Sequence, residues 1–390
     1  MQLNIPGAIV AALCMCVLHP TAGNAADGRS ATIQEVVAHA IRPVMARYGI
    51  PGMAVGIILN GQVYLYDYGV ASKATGKPVA SDTLFEIGSV SKTFTATLAS
   101  YAQVSGRLSL SDTAGKYFPT LRGSSFDTVS LLELGTHTTG GFPLQLPDDI
   151  DNTDQLMSYF RNWKPTYAPG TYRTYANPSI GMFGLIAAKS MNEDFAALME
   201  SRLFPKLGLK NTYIDVPTNR MAAYAQGYTN KDVPIRVSFD GLGKEAYGVR
   251  INAGDLLRFV EANMGMLDLD PEWQRAITDT HTGYFRIGMM MQDLVWEQYR
   301  YPVDLKTLLD GNGDRMSRQA NQAVRLDPPL PPQGDVLIDK TGSTNGFGAY
   351  VAFVPERKLG IVLLANKNYP IDARVTVALA ILTQLDRVRR

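Results

Sequence analysis

The sequence predicts an α/β sandwich: an antiparallel sheet of about five strands built from both ends of the chain, flanked by helices, with an inserted, mostly helical region. Three observations lead there. An amphipathic helix and a hairpin open the body of the chain, three strand-like runs and a helix close it, and roughly 250 residues of mixed character lie between.

Taken in order, residues 32–48 place Ile33, Val36, Val37, Ala40, Ile41, Val44 and Met45 at helical spacing. "GMAVGIIL" and "QVYLYDYGVA" then read as strands, joined by Asn60-Gly61, the strongest two-residue hairpin signal. "LFEI" is strand-like, Gly88 breaks it, and "SVSKTFTATLASYA" reads as a helix. A further apolar helix covers residues 180–188. Near the C-terminus, "DVLIDKTGS", "GFGAYVAFVP" and "LGIVLLANK" read as strands and "DARVTVALAILTQL" as the closing helix. Residues 310–315 (DGNGDR) and 327–334 (DPPLPPQG) are loops on composition. No repeat with the period of a solenoid or propeller is visible.

Lys+Arg 37 against Asp+Glu 36 gives a formal charge of +1. That balance argues against a nucleic-acid surface. Residues 8–18, "AIVAALCMCVL", have the length of a signal-peptide apolar core, and "GNA" supplies a small-x-small site. We therefore expect residues 1–25 to be a signal peptide cleaved after Ala25, although no Lys or Arg precedes Arg29. Both cysteines, Cys14 and Cys16, fall within it, so the mature chain has no thiol for a disulfide, a nucleophile or a metal. The four histidines, His19, His39, His137 and His281, show no zinc-ligand spacing, and no G-x-S-x-G elbow occurs. No metal or cofactor is expected. His137 reads as a loop or buried hydrogen-bonding residue, and Met289-Met290-Met291 as core or cleft filler.

The chemistry begins at "FEIGSVSKTF", where Ser89 stands one helical turn before Lys92. An amine acts as a base only when neutral, and burial beside other cations lowers its pKa enough for that. Alone, such a pair is better read as an N-cap serine with an exposed helical lysine, since a chain of this length holds about one by chance. Two further segments change the reading. "TYANPSIG" carries Tyr175-Ala176-Asn177 after a Pro169-Gly170 turn, and "DKTGSTNGFG" carries Lys340-Thr341-Gly342 at a strand end. Gly342 removes a side chain where a substrate could lie against the strand. Tyr228-Thr229-Asn230 and Ser190-Met191-Asn192 repeat parts of the pattern, but the first reads as a polar turn and the second as a helix end.

Ser-x-x-Lys, Tyr-x-Asn and Lys-Thr-Gly in this order resemble the serine β-lactamase and penicillin-binding protein superfamily, and the tyrosine form resembles class C β-lactamases. The resemblance runs over nearly the whole mature chain, through "GGFPLQLPD", "EAYGV" and "LLANKNYP" as well. It implies a β-lactamase/transpeptidase-like fold with one catalytic unit over 26–390, an α/β part at about 26–85 and 175–390, a helical part at about 86–174, and the active site between them.

It implies Ser89 as the nucleophile of an acyl-enzyme, Lys92 and Tyr175 sharing the proton traffic, and Lys340 as a fixed charge. The oxyanion would meet the backbone N–H groups of Ser89 and Ser343. Gln145 and Asn177 would bind the amide side chain of a lactam, Lys340, Thr341, Gly342, Asn345 and Asn368 would line its carboxylate end, and Tyr247 its wall. Arg374 would be a peripheral, structural charge. The chain departs from the family's pattern at Gly243, Lys244, Val295, Asp339 and Ile371. The implied activity is hydrolysis of cephalosporins and penicillins by a periplasmic monomer without membrane anchor or nucleic-acid partner. The rivals are a D-Ala-D-Ala carboxypeptidase or esterase of the same fold, and a penicillin-binding sensor that deacylates slowly.

Overall fold

The computed structural model describes residues 22–239 and 241–388, together with residue 2; the apolar stretch 8–18 with Cys14 and Cys16 lies outside the described residues. Nine strands form one antiparallel sheet: β1 (Gly52–Leu59), β2 (Gln62–Gly69), β3 (Gly283–Ile287), β4 (Met290–Gln292), β5 (Glu297–Arg300), β6 (Val324–Leu330), β7 (Val336–Ser343), β8 (Gly348–Val354) and β9 (Leu359–Ala365). Their order is β6-β3-β4-β5-β7-β8-β9-β1-β2, so the hairpin from the start of the chain docks beside strands from its end. Asn60 and Gly61 both take positive φ, as that two-residue turn requires.

The helices that matter for the site are α1 (Ala22–Tyr48), α2 (Ser91–Val104), α3 (Asn177–Ser190), α4 (Gly243–Tyr247), α5 (Ala253–Asn263), α6 (Pro271–Asp279), α7 (Leu305–Asn312), α8 (Asp314–Arg318) and α9 (Ile371–Val388). α1 and α9 cover one face of the sheet and α5 lies on the other. Strand β1 shows why its run is apolar without alternation. Met53, Val55, Ile57 and Leu59 enter one core and Ala54 and Ile58 the other, so both faces are buried. Gly56 lets α5 approach, since a Cβ there would meet Leu257. Among the described residues, no helix is long and apolar enough to cross a membrane.

The sheet is wider than the five strands the sequence suggested. The added strands β3 to β6 come from the middle of the chain, and β4 and β5 read MMQ and EQYR, too short and too polar to show a period. Residues 327–330, expected as loop, belong to β6, where Pro328 and Pro329 are tolerated because the strand is an edge. The other expected loop, 310–315, is helical except at Gly313, which separates α7 from α8. Of the three methionines, Met290 is core, whereas Met289 at the β3–β4 turn is 79% exposed.

Candidate active site

Ser89 sits in a 3₁₀ turn, Gly88–Val90, that runs directly into α2. Gly88 has φ +50°, which a side chain resists, and a Cβ there would fall 2.5 Å from the backbone nitrogen of Ser343. A Cβ on Gly342 would overlap the Ile87 carbonyl oxygen and lie 2.8 Å from the Val90 nitrogen. Two glycines thus let the end of β7 lie against the serine turn, backbone on backbone. Glu86 braces the same junction: its carboxylate accepts from Tyr224 Oη (2.6 Å), Thr344 Oγ1 (2.6 Å) and the Val237 N–H (2.9 Å).

Lys92 is wholly buried beneath Ser89. Its Nζ donates to Ser89 Oγ at 2.9 Å, Asn177 Oδ1 at 2.6 Å and the Ala246 carbonyl at 2.8 Å. Burial, aided by the Lys340 charge, brings its pKa down to about 8 against the opposing pull of Tyr175. About a tenth of the molecules then hold a neutral amine at pH 7, a usable population of base.

Tyr175 follows the short strand Tyr172–Arg173. Its ring centroid has Lys340 Nζ at 5.2 Å, Lys92 Nζ at 5.4 Å and the Arg173 guanidinium at 5.4 Å. Burial pushes the phenol up, but Lys340, Lys92 and a hydrogen bond with Ser89 together outweigh it, so it ionises below its ordinary range. His137, at φ +60°, lies against the same ring at 4.4 Å between centroids. Its Nδ1 accepts the Ala176 N–H at 3.3 Å, and burial with the cations of Arg173, Lys92 and Lys340 keeps it neutral.

Sequence reasoning missed the counter-ion. Glu297 on β5 accepts from Arg173 at 2.6 Å and stands 3.7 Å from Lys340 Nζ. Arg173 also donates to Gln292 (2.6 Å) and to the Met316 carbonyl (2.9 Å). The available signal was the presence of charges inside strand-like "WEQYR" and just before "YAN", since a buried charge needs a partner. Burial lowers Lys340 while Glu297 and Tyr175 raise it more, so it keeps its charge.

A cleft of about 760 Å³ opens over these groups. Ser89, Gln145, Tyr175, Asn177, Lys340, Thr341, Gly342, Ser343, Asn345 and Asn368 all line it. Tyr247 does not: it ends α4 with its ring near Phe239 and against Gly243, because the turn of α4 that delivers the Ala246 carbonyl to Lys92 directs it there. Thr229 and Asn230, discounted as a polar turn, do line the cleft, while Tyr228 faces away and accepts the Lys73 N–H at 2.6 Å. Ser190 back-bonds to the Ala187 carbonyl at 2.7 Å, as a helix end does. One further wall comes from residues 311–314 and 316–318, another from Tyr369, Pro370 and Ile371. Arg374 is buried rather than peripheral. It donates to Gly342 O (2.7 Å), Ser343 Oγ (2.9 Å), Asn368 Oδ1 (2.6 Å) and Tyr369 O, and so holds two cleft segments together.

A buried amine hydrogen-bonded to a serine oxygen, beside a phenol made acidic by cations, can activate an alcohol for attack on a carbonyl and then return the proton. Comparison with known proteins agrees with that chemistry. The Beta-lactamase family model matches residues 37–385. The chain is 52% identical over 372 residues, 95% of each protein, to a β-lactamase of Lysobacter lactamgenus. A class C β-lactamase solved in complex with cefoxitin superposes with TM-score 0.89 at 53% identity, covering 91% of this chain and 99% of that one. A D-alanine carboxypeptidase AmpC from Burkholderia cenocepacia does so with TM-score 0.88 at 56% identity, over 91% and 99%. The chain belongs to the Beta-lactamase family, in its class C branch of serine hydrolases.

Proposed function

We propose that this chain hydrolyses the β-lactam amide of cephalosporins and penicillins through an acyl-enzyme on Ser89. The observation that carries the reading is the 2.9 Å hydrogen bond from a buried, pKa-lowered Lys92 to Ser89 Oγ, next to Tyr175 held between two cations. Ser89 Oγ attacks the lactam carbonyl carbon as its proton passes to the Lys92–Tyr175 pair. The oxyanion accepts from the backbone N–H groups of Ser89 and Ser343, donors worth about 3–4 kcal/mol each in comparable sites. Collapse breaks the C–N bond, and the pair protonates the departing nitrogen. A water then gives its proton to the same pair, attacks the ester, and Ser89 leaves with a proton restored.

Gln145 and Asn177 bind the amide side chain, and Lys340 with Thr341, Asn345 and Asn368 binds the carboxylate. The protein acts as a monomer after export to the periplasm. Time-resolved intact-mass spectrometry with one cephalosporin tests the scheme. A transient adduct is expected, absent in Ser89→Ala. An adduct that lasts for hours would make the protein a sensor, and no adduct at all would overturn the reading. The name of the Burkholderia neighbour supports a second reading, D-alanine carboxypeptidase activity at the same serine. Release of D-alanine from a D-Ala-D-Ala peptide faster than lactam turnover would put it first.

A further inference from the structure

Asp339 is wholly buried on β7 immediately before Lys340. It pairs across the sheet with Glu297. Its Oδ2 accepts from Asn312 Nδ2 at 2.8 Å and Tyr350 Oη at 2.7 Å. Asn312 is the last residue of α7, and the next turn of chain, through Gly313 into α8, is the cleft wall. The docking is tight: a Cβ on Gly311 would overlap Tyr299 Oη. The wall is also tied at Met316, whose carbonyl accepts from Arg173. Strands β5 and β7 therefore hold this wall, whereas Asn177 reaches the cleft from the start of α3 and Gln145 from the loop 138–152, which is tied to α3 where the Asn177 N–H donates to the Leu144 carbonyl at 2.9 Å.

We propose that Asp339 is a positioning residue: its hydrogen bond to Asn312 latches wall 311–318 to the strand of Lys340, and so sets which lactam substituents the cleft accepts on the side away from Gln145. The selectivity rests on the hydrolytic reading above; the latch itself does not. Burial and the neighbouring Glu297 raise the Asp339 carboxyl to about 7, so a neutral amide is its closest substitute. Asp339 Oδ1, Asn312 Oδ1 and Tyr299 Oη have no hydrogen-bond partner among the described residues, so Oδ2 is the oxygen through which this carboxyl holds Asn312.

The test uses Asp339→Leu and Asn312→Leu, which remove the latch from either side, with Asp339→Asn and Tyr350→Phe as controls. Two readouts are taken: amide hydrogen exchange over 305–318 against α2, and KM for two cephalosporins differing only in the size of the substituent at that end. Each Leu variant should speed exchange of the wall about tenfold, leave α2 unchanged, and alter the KM ratio of the two substrates about fivefold or more, with kcat on the smaller nearly constant. The double Leu variant should go no further than either single one. The controls should behave as the parent. If Asp339→Leu fails to fold, Asn312→Leu carries the same test from the helix.

Unchanged wall exchange in a folded Leu variant overturns the latch. Faster exchange with an unchanged KM ratio overturns the selectivity. A parent protein that hydrolyses neither cephalosporin overturns the hydrolytic reading and the selectivity together, while exchange still decides the latch.

Discussion

Gly88 and Gly342 each lack a side chain where the serine turn meets β7: a Cβ on Gly88 would run into the Ser343 backbone, and one on Gly342 into the Ile87 carbonyl oxygen. Gly342→Ala forces the methyl into the Ile87 carbonyl and against the Val90 nitrogen, atoms that cannot rotate away. The end of β7 must then separate from the serine turn. Since misplacement by about 1 Å costs roughly a hundredfold, kcat/KM for a cephalosporin should fall at least that far while the protein stays folded. A variant within threefold of the parent would show that the strand and turn need no such contact.

The second prediction concerns pH. Lys92 and Tyr175 both ionise below their ordinary ranges, and Lys340 lowers each. A base works in its deprotonated form, so kcat/KM should rise with pH and level off above about 8, the limb belonging to the coupled pair. Lys340→Ala removes a positive charge that disfavours protonation, so the limb should move to higher pH. A limb that stays in place or moves down contradicts the electrostatics, whatever happens to the overall rate.

Stability should also respond to pH, through Glu245 next to the Ala246 carbonyl that Lys92 uses. Burial raises this carboxyl from 4.5 to about 7, and its Oε2 has no hydrogen-bond partner among the described residues. The folded state therefore holds the proton more tightly than the unfolded state. Stability falls as pH rises above the unfolded value and levels off above about 7. Glu245→Gln should match the parent near pH 4.5 and exceed it by about 3 kcal/mol at pH 8. Denaturant unfolding at the two values checks this, and an equal difference at both would refute it.

What could be read from the sequence was whatever is local. Ser89 with Lys92, Tyr175 with Asn177, and Lys340 with Gly342 are each spacings within a few residues, and the hairpin at Asn60-Gly61 and the three terminal strands carry their own periods. Arg173 and Glu297 are different: their meaning lies in a pairing across 124 positions, which no window reveals. Arg374 looked peripheral because a helix surface does not disclose that Gly342, Ser343 and Asn368 will converge on it. Residues 310–315 looked like loop because their glycines and charges serve packing against Tyr299 and the cleft rather than a helical stripe.

Strand β1 pairs with β9, its partner more than 300 residues later in the chain, with Met53 opposite Ala365. During synthesis the first hairpin therefore waits with one edge unsatisfied until nearly the last residue has left the ribosome. The serine turn waits too, because it rests on Gly342. Activity arrives only once both partners of that pairing have been made, and until then an open strand edge is exposed to wrong pairing.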